Sequence, residues 1–181
     1  MPVNLTKRYP QLLELLHLTA ADRADSLRAV FSRDIENNNK FQFLHKFIHP
    51  IKKDDGQSAM DTLFQHLTHV SEEVVDENGR SHKSRKVFEM DRSRRIHWIK
   101  HLVEMNYKSG IEIFSIIERD HKQRKDVQRT YLYDLKQKYV IVFEPQRSMR
   151  DYYLLSAYYL NRQYGEKKMK KKMKQKLQEV L

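Results

Sequence analysis

Five consecutive residues, Tyr139-Val140-Ile141-Val142-Phe143, contain no polar interruption. A strand turns alternate side chains to opposite faces, so this run has no face to give to water. It must lie inside a sheet, covered by a helix on one side. Shorter β-branched and aromatic runs surround it at hairpin-like spacing, at Ile111 to Ile117, Val127 to Tyr133 and Arg150 to Leu160. Together the four runs predict a small, mainly antiparallel, four-stranded sheet. Ahead of them, Asp91 caps a predicted helix with Ile96, Ile99, Leu102 and Val103 on one face. Behind them, the residues after Gly165 predict a basic helix striped by Met169, Met173 and Leu177.

The first half reads as helical with loops. Pro10 suits the first position of a short amphipathic helix through Leu12, Leu13, Leu15, Leu16 and Leu18. Thr19 with Asp22, and Ser58 with Asp61, form caps ahead of apolar residues at helical spacing. Phe41, Phe43, Phe47 and Ile48 are apolar enough to pack as either strand or helix, and residues 71 to 81 are the best linker. The expected class is therefore α+β. Residues 1–80 form a helical region of unknown role, and residues 81–181 form a second unit of helix, four-stranded sheet and basic C-terminal helix.

Charge divides the chain at the same place. Residues 1–80 hold 10 Lys and Arg against 12 Asp and Glu; the whole chain has 35 and 24, leaving 25 and 12 for residues 81–181. The second half alone is strongly cationic, and it holds most of the ten Tyr. That combination suits a polyanion, with nucleic acid ahead of a membrane. There is no Cys, which excludes disulfides, thiolate nucleophiles and Cys-ligated metal. No apolar run is long enough to span a bilayer and no signal-peptide core opens the chain, so a cytoplasmic location is expected.

Strict alternation along the last strand would put Tyr152, Leu154, Ser156, Tyr158 and Leu160 on one face. Ser156 is then either a hydroxyl bonded to a neighbouring strand or part of a site. Arg129, Tyr131 and Tyr133 share a face of an earlier strand, where an Arg must either reach solvent or bind an anion. His82-Lys83-Ser84-Arg85-Lys86 precedes Arg92-Ser93-Arg94-Arg95 and supplies imidazole and guanidinium groups close together. Such groups suit RNA cleavage, in which the 2′-hydroxyl loses a proton, the 5′-oxygen gains one and the phosphoryl oxygens collect negative charge. His97, His101 and Glu104 share a helical face, but Trp98 stands where the zinc-protease pattern requires Glu. No metal site and no cofactor is expected.

Phe88-Glu89-x-Asp91-Arg92-x-x-Arg95-Ile96-x-Trp98-Ile99-Lys100 is followed by Arg129-Thr130-Tyr131-Leu132, by Tyr139 to Glu144, and by Asp151-Tyr152-Tyr153-Leu154-Leu155-Ser156-Ala157-Tyr158-Tyr159. In order and spacing this ensemble resembles the phage and polymorphic-toxin branch of the barnase/EndoU/colicin/RelE-like nucleases, over roughly residues 82 to 176. The resemblance implies a sheet curled against helices, with a cleft for RNA and metal-independent endoribonuclease activity, tRNA being one candidate substrate. It points to His82 as general base, to Arg95 and Arg129 on the phosphorane, and to Tyr131 and Ser156 on the phosphate. Lys83, Arg85, Lys86, Arg92, Lys167, Lys168 and Lys171 would hold the RNA. A two-histidine pair would need His97 or His101 to face the cleft. An inhibitor or antitoxin protein is a further implied partner, and the rival expectation is a non-catalytic RNA-binding module on the same fold.

Overall fold

A computed structural model describes residues 3–52, 56–75, 81–120, 123–161 and 163–181, with the backbone alone for 72–75, 81–86 and 163–164. The first long element, α1 (Ala20–Phe31), starts where Thr19 Oγ1 accepts the Asp22 amide at 3.2 Å, and a π-helical turn, Ser32–Glu36, extends it. Then come β1 (Gln42–Phe43), β2 (Lys46–His49) and α2 (Ala59–Thr68), the last capped by Ser58. A two-stranded ribbon follows, β3 (His69–Val75) and β4 (Ser81–Phe88), succeeded by the short helices α3 (Met90–Ser93) and α4 (Trp98–Glu104). Strands β5 (Ile111–Asp120), β6 (Lys125–Asp134), β7 (Tyr139–Pro145) and β8 (Tyr152–Tyr159) precede the last helix, α5 (Gln163–Lys174).

The class is α+β, but two expectations about it are overturned. The main sheet has six strands, ordered β1-β2-β8-β7-β6-β5, and is mixed because β2 runs parallel to β8. Nor is the first half simply helical, since it supplies β1, β2 and β3. Phe41 to Ile48 forms a tight hairpin. Leu44 and His45, its two loop residues, have φ of 49° and 64°, the left-handed pair that lets a two-residue turn follow the strand twist. Without Asn or Gly at the turn, the sequence carries no hairpin signal there.

Two helix assignments are also corrected. The segment after Pro10 is not helical; Leu13 and Leu15 are fully buried with the polar or exposed positions alternating around them. The Leu13 amide donates to the Arg94 carbonyl at 3.0 Å, and Arg94 Nε returns a bond to the Leu13 carbonyl at 3.1 Å. Partners beyond the segment thus satisfy the backbone that a helix would have satisfied within itself. At the other site, Glu89 rather than Asp91 is the cap, its carboxylate accepting the Asp91 and Arg92 amides at 3.2 and 2.6 Å. In the expected linker, residues 71–75 belong to β3 and Ser81 to β4, while residues 76–80 lie outside the described residues.

The apolar run forms β7 and lies inside the sheet, as its lack of a polar face requires. One face buries Tyr139, Ile141 and Phe143 with Leu132, Tyr152 and Leu154 against Leu13, Leu27, Phe31, Phe43, Trp98 and Leu102. This core therefore joins residues from both sides of position 80. The opposite face packs Phe114, Tyr131, Tyr133, Val140 and Val142 against Met169 of α5. Helix α5 comes close at Gly165, where a Cβ would stand 3.2 Å from Leu160 Cδ2. Beyond α5 the chain rounds the edge strand: the Leu177 amide donates to the Ser115 carbonyl at 2.8 Å and the Leu181 amide to Ser115 Oγ at 2.9 Å.

A bulge in β8 decides which residues face the open part of the second face. Phe143 pairs with Leu154 but Val142 pairs with Ser156, so Leu155 is the extra residue. Tyr152, Leu154 and Ala157 consequently join the first core, while Leu155 and Tyr158 pack on the second. The expected grouping of Ser156 with Tyr152 and Leu154 is thereby broken. Alternation holds on each side of Leu155 but inverts across it.

Candidate functional site

The part of the second face that α5 leaves uncovered is a cleft of about 970 Å³. Strand β6 places Arg129 and Tyr131 along it, β7 places Val142 and Glu144, and the bulged β8 places Tyr153, Leu155, Ser156 and Tyr158. His49 at the end of β2 reaches the same cleft because the parallel pairing sets it opposite Tyr153, and α2 contributes His66. Asp151 fixes His49. One carboxylate oxygen accepts the Phe47 amide at 3.0 Å and the other meets His49 Nε2 at 3.2 Å. A carboxylate on one imidazole nitrogen orients the ring and selects its tautomer, leaving the other nitrogen for chemistry.

Arg129 is only 9 % exposed, and its environment is neither of the two expected ones. It forms ion pairs with Glu144 and, at 3.3 Å, with Asp120. Both carboxylates also line the cleft, so Lys52 and Arg129 face Asp120, Glu144 and Asp151 there. The guanidinium is therefore already neutralised by the protein. Burial, reinforced by the negative charge of Glu118, pushes the Tyr131 hydroxyl far above its ordinary range and that of Tyr158 up to about 12. Both phenols remain protonated across the physiological range, and Tyr131 donates a hydrogen bond to Glu118.

Next to the cleft lies a groove of about 750 Å³ between α5 and the edge strand β5. It is lined by Lys167, Lys168, Lys171, Lys172, Arg119 and Glu118. Lys167, Lys168 and Lys171 project into solvent and make no ion pair among the described residues, whereas Lys172 pairs with Glu118. A three-membered junction separates the two cavities. Tyr131 donates to Glu118 at 2.9 Å, and Lys172 donates to both Glu118 and, at 2.6 Å, the Tyr131 hydroxyl.

No family model, curated protein or solved structure matches this chain.

The residues expected from sequence fall into three groups. Arg129, Tyr131 and Ser156 come together in the cleft, and Lys167, Lys168 and Lys171 in the neighbouring groove. Arg95 does not join them. It stacks on the Tyr159 ring at 3.9 Å, against the first core and on the other side of the sheet. Arg92 is likewise a tie within the fold, donating to the His66 and His69 carbonyls at 2.7 and 3.1 Å. His82, Lys83, Arg85 and Lys86 belong to the backbone of β4, and their side chains lie outside the described residues.

His97 and His101 line a different cavity, of about 650 Å³, with Tyr9, Asp34 and Lys100. His97 Nε2 meets the Gln11 carbonyl at 3.0 Å, and burial lowers the imidazole pKa to about 4. Tyr9 stacks on His101 with ring centroids 4.5 Å apart. Among the described residues no group of three or more His, Asp or Glu is placed to hold a metal ion, and no helix is long and apolar enough to cross a membrane.

Sequence reasoning missed His49, Asp151 and His66. His49 and Asp151 are separated by 102 residues and meet only through the parallel β2–β8 pairing, which periodicity does not reveal.

Proposed function

We propose that the protein binds RNA, with the α5 groove as the surface that meets the phosphates. The observation that carries this reading is the set of three exposed lysines, Lys167, Lys168 and Lys171, which make no ion pair among the described residues and lie along one groove with Arg119. Phosphate contacts of this kind release condensed counterions, so the logarithm of affinity falls linearly with that of salt. The test is fluorescence anisotropy of a labelled RNA across a salt series. Replacing Lys167, Lys168 and Lys171 together by Gln is expected to weaken binding and flatten the slope by about 2 to 3, the share of three contacts. An unchanged slope would remove the groove from the proposal. The proposal carries a cytoplasmic setting, where RNA is the available polyanion.

A second reading, metal-independent cleavage of that RNA, is favoured by the His49–Asp151 pair. In it His49 takes the 2′-hydroxyl proton, the 2′-oxygen attacks phosphorus, and the P–O5′ bond breaks. The departing 5′-oxygen takes a proton from a second group, for which His66 is the candidate on the cleft wall. Ser156 remains a hydroxyl donor to the phosphate in this scheme. Arg129 does not carry over simply as an anion binder, because Glu144 and Asp120 already occupy it. Incubation with total RNA and EDTA should yield fragments from the parent protein and few from His49→Ala or Asp151→Asn. Intact RNA with the parent leaves binding as the whole activity. A cleaving protein also implies an inhibitor protein in the producing cell, detectable as a partner that relieves toxicity on co-expression.

A further inference from the structure

The two cavities on this face differ in charge and in lining. The groove is cationic, and its Lys167, Lys168 and Lys171 are exposed and make no ion pair among the described residues. The cleft is walled by Tyr153, Tyr158, Leu155 and Val142, and among the described residues its lining holds three carboxylates, Asp120, Glu144 and Asp151, with Lys52 and Arg129. Charge favours phosphates in the first over the second, while an uncharged aromatic ring is suited to the second. The cavities share a wall, since Tyr131 lines the cleft and Glu118 and Lys172 line the groove, all three joined by hydrogen bonds. One strand can therefore lie across both.

We infer that the cleft is a nucleobase site: it receives unpaired bases of a single strand whose sugar-phosphate chain continues along α5. This rests on the RNA reading above and specifies the substrate class as single-stranded. A duplex would keep its bases stacked internally and present only phosphates, so it could use the groove but not the cleft. Stacking on tyrosine tolerates any base because each has a flat π-face, so little sequence preference is expected. The bulge supports the site directly. By inverting β8 at Leu155 it sets Tyr153 and Leu155 in the same cleft as Ser156 and Tyr158.

The test is anisotropy with the full chain on a labelled 2′-O-methyl RNA dodecamer, which has no 2′-hydroxyl to attack, the same dodecamer annealed to its complement, and a labelled 2′-O-methyl trinucleotide. Tyr153→Ala should weaken the single-stranded dodecamer roughly tenfold and leave the duplex unchanged, with Tyr153→Phe restoring the parent affinity. Replacing Lys167 and Lys171 by Gln should weaken the dodecamer and leave the trinucleotide, which the cleft alone can hold, unaffected. Circular dichroism melts of each variant separate lost binding from lost folding, and a Tyr153→Ala protein that fails to fold is replaced by Leu155→Glu, which puts a charge in the same cleft. Equal affinity for single strand and duplex, or insensitivity of the dodecamer to the cleft variants, overturns the inference while the RNA reading stands. No binding of either RNA overturns both.

Discussion

Arg129 illustrates how a single buried charge constrains what may be asked of a site. Its two ion-pair partners, Glu144 on β7 and Asp120 at the end of β5, have side chains 28 % and 17 % exposed, and the guanidinium side chain is 11 % exposed. Removing one member of such a cluster leaves like charges facing each other at low dielectric, a loss of about 3 kcal/mol. Arg129→Ala should therefore lower the urea midpoint markedly, and adding Glu144→Gln should recover part of the loss. A midpoint unaffected by Arg129→Ala would mean that the cluster is solvated and the arginine available to an anion. For the same reason, lost cleavage in an Arg129 variant is interpretable only beside its melting curve.

His97 gives the residue scale a pH signature. Its imidazole is 5 % exposed, and burial holds its pKa at about 4, below the ordinary histidine value. Between roughly pH 6.5 and pH 4 the unfolded chain binds a proton that the folded chain refuses, so stability falls as pH falls through this window. The full effect is roughly 3 kcal/mol, and it stops growing once the folded state also protonates. His97→Gln should flatten that part of the stability–pH curve, measured by urea denaturation at pH 7, 5.5 and 4.5. A parent curve that is already flat there would show that His97 titrates normally.

At the level of elements, the C-terminal segment protects an edge. Strand β5 is ten residues long and has no strand beyond it among the described residues, yet at Ser115 the Leu177 amide donates to its carbonyl and the Leu181 amide to its hydroxyl. Thr130 Oγ1 donates to the Leu181 carbonyl at 3.0 Å, with a second bond from Tyr152, so the segment is held from three strands. An uncovered edge with exposed Ile117 invites pairing with another chain. Truncation after Gln175 should lower stability by about 1 to 3 kcal/mol, because the bonds that tie Leu177 and Leu181 to Ser115, Thr130 and Tyr152 are lost. It should also raise light scattering at high concentration. If scattering and melting temperature stay at the parent values, the segment is no cover.

What the sequence discloses about these elements follows from where their signals reside. Strand β7 is legible because five adjacent residues exclude water from both faces, and α1 and α2 because a cap residue precedes helical spacing. Leu12 to Leu18 misleads because closely spaced leucines suit a helix and an extended buried segment alike, and only the distant Arg94 decides. The β8 bulge is silent in sequence, since Leu155 resembles its neighbours, yet it changes which residues share a face with Ser156. In the candidate site, Arg129 with Tyr131 was legible from a two-residue spacing within one strand. His49 with Asp151 was not, because it depends on a parallel pairing across the chain.

For the whole molecule the question is whether the cationic second half can stand alone. Its charge sets it apart, but its core does not: Tyr139, Ile141, Phe143, Tyr152 and Leu154 pack in one cluster with Leu13, Leu27, Phe31, Phe43 and Leu63. Trp98, 2 % exposed, hydrogen-bonds from its indole nitrogen to the Gln11 carbonyl at 2.9 Å and meets the Tyr139 ring edge-on at 5.5 Å. Without residues 1–80, one face of the central strands would be stripped of its cover, and each large side chain left bare forfeits about 1.5 to 3 kcal/mol of burial. Against a total stability of roughly 5 to 15 kcal/mol for an ordinary domain, a few such losses are decisive. Residues 81–181 expressed alone should therefore show poor amide dispersion in NMR and no cooperative melt, while the full chain shows both. Mixing the fragment with residues 1–80 should restore a melt if the two pieces recognise each other through this core. A cooperative transition in 81–181 alone would show instead that α5 and the second face suffice to hold the sheet, and that the first half is an accessory to it.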